Sequence, residues 1–492
     1  MKNKSVVVIG SGFSGLSVAS NLAKEGYDVS VFEKNDTLGG RARSFSSNGF
    51  TFDMGPSWYW MPDVFESYFA HFGKQVSDYY DLIRLDPSYS VFFDENHRMD
   101  IPASFDELCN LFDKYEEGSS SGLKKFLNEA KYKYEVGMRD MVYKPGQSIT
   151  EFMDWRVISG AMRLQLLTPL SKHVRKYFSN KYLLELLEFP VLFLGAKPSK
   201  TPAMYSMMNY ADIMLGTWYP KGGMIKIIDG MVSLANELGV KFHTNSPVTS
   251  IRVENGVALG IVVNDILHEA DVVVSSADYH HTDSKLLKPK YRNYSESYWD
   301  TRTMAPSSLI YFLGIDKKLV GLEHHNLFFD ADFNRHAEEI YDDPKWPQKP
   351  LFYVSATSKT DNSVAPDGCE NLFILIPTAP GLIETEAIQE EYFDMVIERL
   401  ERLTCQNVRE HIVYKRNFAC SDFINEYNSF KGNAYGLANT LRQTAVLKPK
   451  LKSKKVNNLY YTGQLTVPGP GVPPSLISGR IVAREVQKNY AL

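Results

Sequence analysis

Four residues near the N-terminus have the types and spacing of a nucleotide-binding site. Gly10, Gly12 and Gly15 stand in the pattern Gly-x-Gly-x-x-Gly, and Glu33 follows eighteen residues after the last glycine. In this pattern the glycines permit a tight turn, let backbone N–H groups approach a pyrophosphate, and allow a helix to pack closely on a strand. A carboxylate at Glu33 can accept hydrogen bonds from a ribose diol. The residues predict a dinucleotide site, and the alternative is a glycine-rich turn without a ligand.

The residues around these glycines predict the β-α-β unit that would position them. Residues 6–9 are all apolar, which is typical of a strand buried on both faces, and residues 29–32 read as the next strand. Residues 16–24 lie between them and are rich in small side chains at helical spacing. The N-terminus of that helix would point its free N–H groups and its dipole toward the phosphates.

Two later blocks read as further parts of the same unit. Residues 241–278 contain short β-rich segments separated by turns, which predicts an antiparallel meander that returns to a buried strand. Residues 458–462 read as a strand, residues 463–474 as a loop rich in glycine and proline, and residues 475–489 as a helix. The nucleotide-binding unit is therefore expected to be discontinuous.

The composition restricts the class of protein. The chain has 492 residues, of which 44% are hydrophobic and 23% charged, and its formal net charge is -4. These values exclude collagen-like, coiled-coil, disordered and disulfide-scaffold classes, and they provide no positive field for a nucleic-acid partner. The four cysteines have no metal-binding spacing and indicate reduced thiols. No stretch approaches the roughly 18 apolar residues that span a bilayer, so we expect a cytoplasmic protein.

Two segments after Glu33 and two near the C-terminus carry a family resemblance. Residues 39–43 read Gly-Gly-Arg-Ala-Arg and residues 52–57 read Phe-Asp-Met-Gly-Pro-Ser. Both are similar to the flavoprotein superfamily of amine oxidases and carotenoid desaturases. Residues 458–464 and 468–475 resemble the closing signature of its bacterial-type phytoene desaturases, especially a Bacteroidetes-like branch. Further counterparts of that family lie at residues 55–58, 218–224 and 432–436.

The resemblance implies FAD as the cofactor and a set of residues that contact it. It places Arg41 and Arg43 near the pyrophosphate and Gly55-Pro56-Ser57 near the flavin. It also implies an α/β fold with a Rossmann-like FAD-binding domain and a discontinuous second α+β domain for substrate. Where the family loop often carries His-Pro-Gly-Gly, this chain has Thr466-Val467-Pro468-Gly469, so no catalytic residue is assigned. The predicted FAD contacts are Gly10, Ser11, Gly12, Phe13, Ser14, Gly15, Glu33, Lys34, Gly40, Arg41, Ala42, Gly55, Pro56, Ser57, Val248, Gly463, Gln464, Gly471, Val472, Pro473 and Ser475.

The predicted domains follow from the order of these blocks along the chain. The FAD-binding domain is expected at residues 1–70, 222–285 and 415–492. The second domain, which binds substrate and could contact a membrane, is expected at residues 71–221 and 286–414. Helix-biased segments fall mainly in this second domain.

The activity that the resemblance implies is the introduction of double bonds into phytoene, giving lycopene or a partly desaturated carotene. FAD would accept a hydride from an allylic C–H, and oxygen or a quinone would reoxidise it. One alternative is a related flavoenzyme that acts on a later carotenoid or an amine. The other is a non-catalytic lipid carrier like the Rab GDP-dissociation inhibitors, which resemble these enzymes yet bind no flavin.

Several other features have weaker functional interpretations. Neither pair of adjacent histidines, at 280–281 and 324–325, is expected to bind a metal, because neighbouring side chains on an extended segment point to opposite faces. Glu151 and Asp154 are weak candidates for a proton acceptor. Residues 172–194 combine basic and apolar side chains, which fits either a peripheral contact with the inner face of the cell membrane or a buried helix and strand. Lysines at 448, 450, 452, 454 and 455 could extend a membrane-facing surface.

Overall fold

The protein was analysed as a computed structural model that describes residues 3–148, 151, 164–195, 197–440 and 442–492. In chain order its strands are β1 (Ser5–Ile9), β2 (Asp28–Phe32), β3 (Ser44–Ser47), β4 (Phe50–Asp53), β5 (Leu82–Arg84), β6 (Tyr89–Asp94), β7 (His97–Ile101), β8 (Trp218–Pro220), β9 (Lys241–His243), β10 (Val248–Glu254), β11 (Val257–Val263), β12 (Ile266–Glu269), β13 (Val272–Ser275), β14 (Ser307–Ile315), β15 (His325–Phe328), β16 (Phe352–Ser355), β17 (Glu370–Thr378), β18 (Ile412–Phe418) and β19 (Leu459–Tyr461).

The α-helices of the described residues range from a single turn to five turns. They span Phe13–Lys24, Pro62–His71, Phe105–Tyr115, Ser119–Val136, Leu170–Val174, Lys181–Glu188, Met207–Tyr210, Ile225–Glu237, Tyr279–His281, Glu296–Asp300, Phe333–Tyr341, Glu386–Thr404, Cys420–Tyr427 and Val472–Asn489.

A five-stranded parallel sheet carries the glycine-rich turn. Its strand order is β19-β13-β1-β2-β9, so that three distant parts of the chain form one sheet. Val8 pairs in register with Val31 on one side and Val274 on the other, and all three are buried. The turn after β1 begins at Gly10, whose φ is +92°, and its N–H donates to Phe32 O at 2.8 Å. The turn therefore lies at the carboxyl end of the sheet, where ligands bind in open parallel sheets.

The first and last helices pack closely against each other beside this sheet. A Cβ on Gly479 would lie 2.5 Å from Ser14 O and 2.6 Å from Ser17 Cβ. The Ser17 hydroxyl also donates to Leu476 O at 2.7 Å. The absence of a side chain at Gly479 lets the C-terminal helix approach the helix that begins at the glycine-rich turn, which joins the two ends of the chain.

A seven-stranded mixed sheet forms the second layer of the molecule. Its strand order is β18-β14-β17-β16-β15-β6-β7, in which β15 and β6 are parallel and the other neighbours antiparallel. Because side chains alternate between faces of a sheet, Val354 and Ile374 pack with the helix Glu386–Thr404, whereas Ile310 and Tyr353 face the main core. The face that carries Ile310 and Tyr353 covers a cavity.

The predicted α/β architecture is confirmed, and the differences lie at element ends. The meander β10-β11-β12 and the strand β13 are found where the sequence predicted them. The last helix begins at Val472 instead of residue 475, because its prolines occupy the first turn, where a missing N–H costs nothing. The strand β18 crosses the predicted domain boundary at residue 415. The boundaries themselves stay a prediction.

Among residues 172–191, whose side chains the structure describes, no apolar face is presented to solvent. Val174, Leu183 and Leu187 are buried in the main core, and a 3-10 turn at Phe189–Leu194 follows the helix where a strand was one alternative. Of the five lysines that were expected to extend a membrane-facing surface, Lys448 is buried and only 454 and 455 are exposed. In the part of the chain that the structure describes, no helix is both long enough and apolar enough to cross a membrane.

Candidate active site

A cavity of about 1070 Å³ lies between the carboxyl end of the parallel sheet and the inner face of the seven-stranded sheet. Two groups of residues line it. The glycine-rich part comprises residues 10–14, 33–35 and 39–42 with their neighbours. The apolar part is lined by Met138, Met141, Met204, Tyr205, Met207, Met208 and the inward side chains of the seven-stranded sheet.

The N-terminus of the first helix opens into the glycine-rich part. Gly12 is its N-cap residue, and neither a side-chain cap nor an acidic residue occupies its first turn. A Cβ on Gly12 would meet no atom within 4 Å, so the space beside the backbone of Gly12 is open to a ligand. A helix N-terminus with free N–H groups and positive dipole attracts an anion such as a phosphate.

Ser11 connects the glycine-rich turn to the acidic residue at the end of β2. Its backbone N–H and its hydroxyl donate to Glu33 Oε2 at 3.0 and 2.7 Å, and the N–H of Gly39 donates to the Ser11 hydroxyl at 3.2 Å. Glu33 Oε1 accepts the N–H of Asn35 at 3.1 Å. A carboxylate has about four acceptor positions, so Glu33 is held rigidly and keeps capacity for a ribose hydroxyl.

Arg41 places a half-buried guanidinium beside the two glycine-rich turns. Its Nη2 donates to the hydroxyl of Ser429 and, at 3.5 Å, to Asn433 O, and the group lies 5.2 Å from the ring of Tyr427. Its Nε is buried and has no hydrogen-bond partner among the described residues. Burial lowers the pKa of Arg41, and nearby Asp278 opposes this shift. A guanidinium with an unused donor is a group that binds phosphate well.

Close backbone contacts explain most of the glycines in this part. A Cβ on Gly15 would lie 2.1 Å from Gly10 O, and one on Gly55 would lie 2.4 Å from Arg41 O. A Cβ on Gly40 would lie 3.3 Å from Gly12 Cα, so the second glycine pair packs directly on the first turn. Gly15 does not line the cavity, and its position fits the packing role that the glycine pattern predicts.

The other residues predicted to contact FAD all lie on the cavity wall. Gly463, with φ +108°, approaches Ser14 and connects β19 to the loop before the last helix. The cavity-lining set comprises Gly10, Ser11, Gly12, Phe13, Ser14, Glu33, Lys34, Gly40, Arg41, Ala42, Gly55, Pro56, Ser57, Val248, Gly463, Gln464, Gly471, Val472, Pro473 and Ser475. Direct contact of these residues with FAD stays a prediction.

The sequence did not identify the residues of the apolar part. Ser308, Ile310, Tyr353 and Leu375 line it from three strands of the seven-stranded sheet. Five methionines line it from residues 138–141 and 204–208. Methionine is flexible and polarisable, and it is common on surfaces that fit long or irregular apolar ligands. The methionine-rich run at 204–208 is the signal that could have indicated this wall.

A buried polar chain supports one aromatic side chain of the wall. The indole N–H of Trp60 donates to the Thr217 hydroxyl at 2.8 Å, and this hydroxyl donates to Asp212 Oδ1 at 3.2 Å. Tyr89 donates its hydroxyl to Asp212 Oδ2 at 2.8 Å. Burial raises the pKa of Asp212 to about 7, although both hydroxyls oppose the shift.

The weaker candidates from the sequence have structural roles or lie outside the described residues. The carboxylate of Glu151 accepts the backbone N–H groups of residues 146–148, so it closes a turn, and Asp154 lies outside the described residues. His280 and His281 belong to a short helix instead of an extended segment. Among the described residues, no group of three or more His, Cys, Asp or Glu is placed to hold a metal ion.

These observations define a class of protein. A parallel sheet with a glycine-rich turn at its carboxyl end, joined by one cavity to a second, mixed sheet, is the architecture of two-domain flavin-dependent oxidoreductases. Residues 13–487 match the family model of the flavin containing amine oxidoreductases. The chain belongs to this family and, within it, to the carotenoid desaturases.

Two relatives illustrate this membership, and one solved structure illustrates the fold. The chain is 43% identical to the carotenoid 3,4-desaturase of Haloarcula japonica, over 100% of this chain and 99% of the relative. It is 30% identical to the zeta-carotene-forming phytoene desaturase of Myxococcus xanthus, over 99% and 94% of the two chains. The crystal structure of an oxidoreductase from Methanosarcina mazei has a TM-score of 0.64 at 19% identity, covering 98% of this chain and 100% of that chain, and shares the fold.

The family makes the chain an FAD-dependent oxidoreductase, which confirms the predicted cofactor and excludes the non-catalytic carrier. The residues present fit FAD, because the open side of Gly12 and the unused Nε of Arg41 both lie in the glycine-rich part. The Bacteroidetes-like branch stays a prediction.

Proposed function

We propose that this protein is an FAD-dependent desaturase that introduces carbon–carbon double bonds into a carotenoid. The observation that carries the proposal is the continuity of the cavity, in which a wall of methionines and apolar strand residues joins the glycine-rich part. A polyene has no charge and few hydrogen-bonding groups, so apolar contact must hold it. When bound, FAD supplies an acceptor for a hydride from an allylic C–H.

The chain's own residues divide the remaining tasks. Glu33 and Arg41 would hold the ribose and the pyrophosphate, which keeps the reactive ring of the cofactor at one depth in the cavity. The methionine wall would orient the chain of the substrate and exclude water. The prolines in the first turn of the last helix fix its start, and its N–H groups would favour negative charge on the reduced cofactor by about 0.3 to 1 kcal/mol.

The substrate that we infer first is an already desaturated carotenoid, because the relative at 43% identity is a carotenoid 3,4-desaturase. Phytoene is the second candidate, since the relatives at 30% identity include a zeta-carotene-forming phytoene desaturase and a 4,4'-diapophytoene desaturase of Staphylococcus aureus. The two candidates differ in the length of conjugated chain that must pass along the methionine wall.

We further propose a peripheral membrane contact at the mouth of the cavity, on the cytoplasmic side. Leu166 lines the cavity, while the adjacent Leu167 is 87% exposed. Lys172 and Lys176 are exposed nearby in the chain and would meet anionic headgroups. A carotenoid could then enter from lipid without crossing water. Oxygen or a membrane quinone would reoxidise the cofactor.

The test is anaerobic incubation of the FAD-loaded protein with carotenoids in liposomes. Flavin bleaching would be followed together with the polyene absorption of extracted product. Phytoene, a partly desaturated carotene, an acyclic carotenoid with a longer conjugated chain and saturated ends, and a soluble diamine are offered separately. Bleaching with longer polyene bands for the conjugated substrate supports the proposal, and bleaching for phytoene alone supports the second candidate. Bleaching with the diamine alone would contradict both.

A further inference from the structure

Two aromatic side chains on the inner face of the seven-stranded sheet form a hydrogen-bonded pair at the cavity wall. Tyr353 lies in β16 and lines the cavity, and His325 lies in the neighbouring strand β15. Leu327 is the register partner of Tyr353, and His325 stands two residues before it on the same face. The Tyr353 hydroxyl and His325 Nδ1 are 2.6 Å apart. His325 is therefore a base behind the cavity wall, and the Tyr353 hydroxyl links it to the cavity.

His325 is completely buried and its ring is fixed in place. It stacks on Trp58, with ring centroids 4.1 Å apart and planes 11° from parallel. Its Nε2 has no hydrogen-bond partner among the described residues. Burial, with a smaller contribution from His324, holds the pKa of His325 well below its usual value, so the ring is neutral. A neutral imidazole accepts a proton at one nitrogen and donates at the other.

The tyrosine supplies the contact with the cavity. Tyr353 is 5% exposed, and burial raises its pKa, so its hydroxyl keeps its proton. When that proton points to His325 Nδ1, the oxygen keeps its lone pairs as acceptors, with the hydroxyls of Ser57 and Ser355 beside it. Ser57, Trp58, Ile310 and Leu375 line the wall around it. The carboxylates of the lining, by contrast, belong to the glycine-rich part.

We propose that Tyr353 and His325 together accept the proton that the substrate loses during desaturation. This inference rests on the function proposed above. When bound, FAD would supply the acceptor for a hydride, and loss of that hydride would leave a delocalised carbocation on the substrate. The adjacent C–H bond then breaks, and its electron pair forms the new double bond. The proton passes to the Tyr353 oxygen as the tyrosine's own proton moves to His325 Nδ1, which gives a neutral tyrosine and an imidazolium.

The low basicity of a buried histidine is sufficient for this step. A carbocation is a far stronger acid than an ordinary C–H, so a weak neutral base can take its proton. A charged carboxylate at the same place would attract the carbocation and could bond to it covalently. Tyr353 contacts the substrate and is the catalytic residue, whereas His325 acts through it. His325, one of the adjacent histidines at 324–325, thus has a role as a base behind the cavity wall.

The test uses Tyr353→Phe, which keeps the ring and removes the hydroxyl, and His325→Gln, which keeps an acceptor for the hydroxyl but cannot take a proton. His324→Gln is the matched control, because His324 Nδ1 faces the Thr360 hydroxyl at 2.7 Å instead of the cavity. FAD content and half-saturation for carotenoid are expected to stay within twofold in all three. The anaerobic rate of product formation should fall about 100-fold in Tyr353→Phe and His325→Gln, and less than threefold in the control.

Deuterium at the two reacting carbons, introduced one at a time, separates proton transfer from misalignment. In the unmodified protein we expect slowing mainly with deuterium at the hydride-losing carbon. In Tyr353→Phe the proton-losing carbon should become isotope-sensitive, because proton loss then limits the rate. A slowed variant without this isotope effect, or a rate within twofold of the unmodified protein, overturns the proposal. If none of the carotenoids bleaches the flavin of the unmodified protein, the proposed function is wrong, and this inference is wrong with it.

Discussion

The glycine-rich part and the apolar part of the cavity hold their ligands by opposite physical means. In the glycine-rich part, backbone N–H groups and the guanidinium of Arg41 are donors that can bind an anion. Close contacts at Gly15 and Gly55 leave the backbone no room to shift. In the apolar part, flexible methionines face a long space, and polar groups such as Asp212 are kept one layer behind the wall. A site for a fixed cofactor is rigid and polar, and a site for a sliding chain is adaptable and apolar.

The largest expected effect comes from adding one methyl group to a glycine. Gly15→Ala would put Cβ 2.1 Å from Gly10 O, so the turn and the helix must separate, at a cost of about 1–3 kcal/mol or more. FAD retention and the thermal midpoint should both fall. Gly12→Ala is the matched variant, because its Cβ meets nothing within 4 Å. It should lose FAD while the apoprotein keeps its thermal midpoint, and equal loss of stability in both variants would contradict this division.

A smaller loss is expected from Glu33→Gln. The amide cannot offer two charged acceptor oxygens to Ser11, Asn35 and a ribose, and hydrogen bonds to charged groups contribute about 1.5–3 kcal/mol each. The dissociation constant of FAD should rise about 10- to 100-fold, as measured by flavin fluorescence, while circular dichroism stays unchanged. Glu254→Gln, at an exposed carboxylate, is the control. Unchanged FAD retention in Glu33→Gln would rule out the ribose contact.

The apolar part should respond in the opposite pattern. Met207→Gln keeps the length of the side chain and adds an amide to the wall, so half-saturation for carotenoid in liposomes should rise about tenfold, equivalent to about 1.4 kcal/mol. The affinity for FAD should not change. Met214→Gln, at a methionine that is 45% exposed, should alter neither quantity. If Met207→Gln weakened FAD as strongly as carotenoid, the two parts could not be treated as separate sites.

The last effect concerns stability and pH, and it does not depend on either ligand. Because the pKa of Asp212 is raised to about 7, the native state binds a proton that the unfolded chain releases near pH 4. The free energy of unfolding should therefore decrease as pH rises from about 4 to 7 and should not change further above that range because of this group. Asp212→Asn should remove about 2 kcal/mol of this decrease, as measured by urea unfolding at pH 5 and pH 8. An equal pH dependence in both proteins would show that Asp212 is ionised when folded.

The strand, turn and helix of the glycine-rich part could be predicted from sequence because their residues act through local geometry. The turn after β1 needs Gly10 at positive φ, and the helix after it starts within a few residues, so a short motif is sufficient. Prediction failed for the apolar part because its residues come from separate strands. β14 and β17 are almost wholly buried, and a continuous apolar run does not indicate which side chains face a ligand.

The sequence by itself determined the glycine-rich turn and the α/β architecture, since each depends on motifs whose physics is confined to a few neighbouring residues, and its family resemblance indicated the cofactor. The tertiary structure decided the rest. Only the pairing of β15 with β16 brings His325 to the Tyr353 hydroxyl, and only tertiary packing buries Val174, Leu183 and Leu187 in the main core. Strand register and burial depend on contacts between residues far apart in the chain, and no local pattern specifies them.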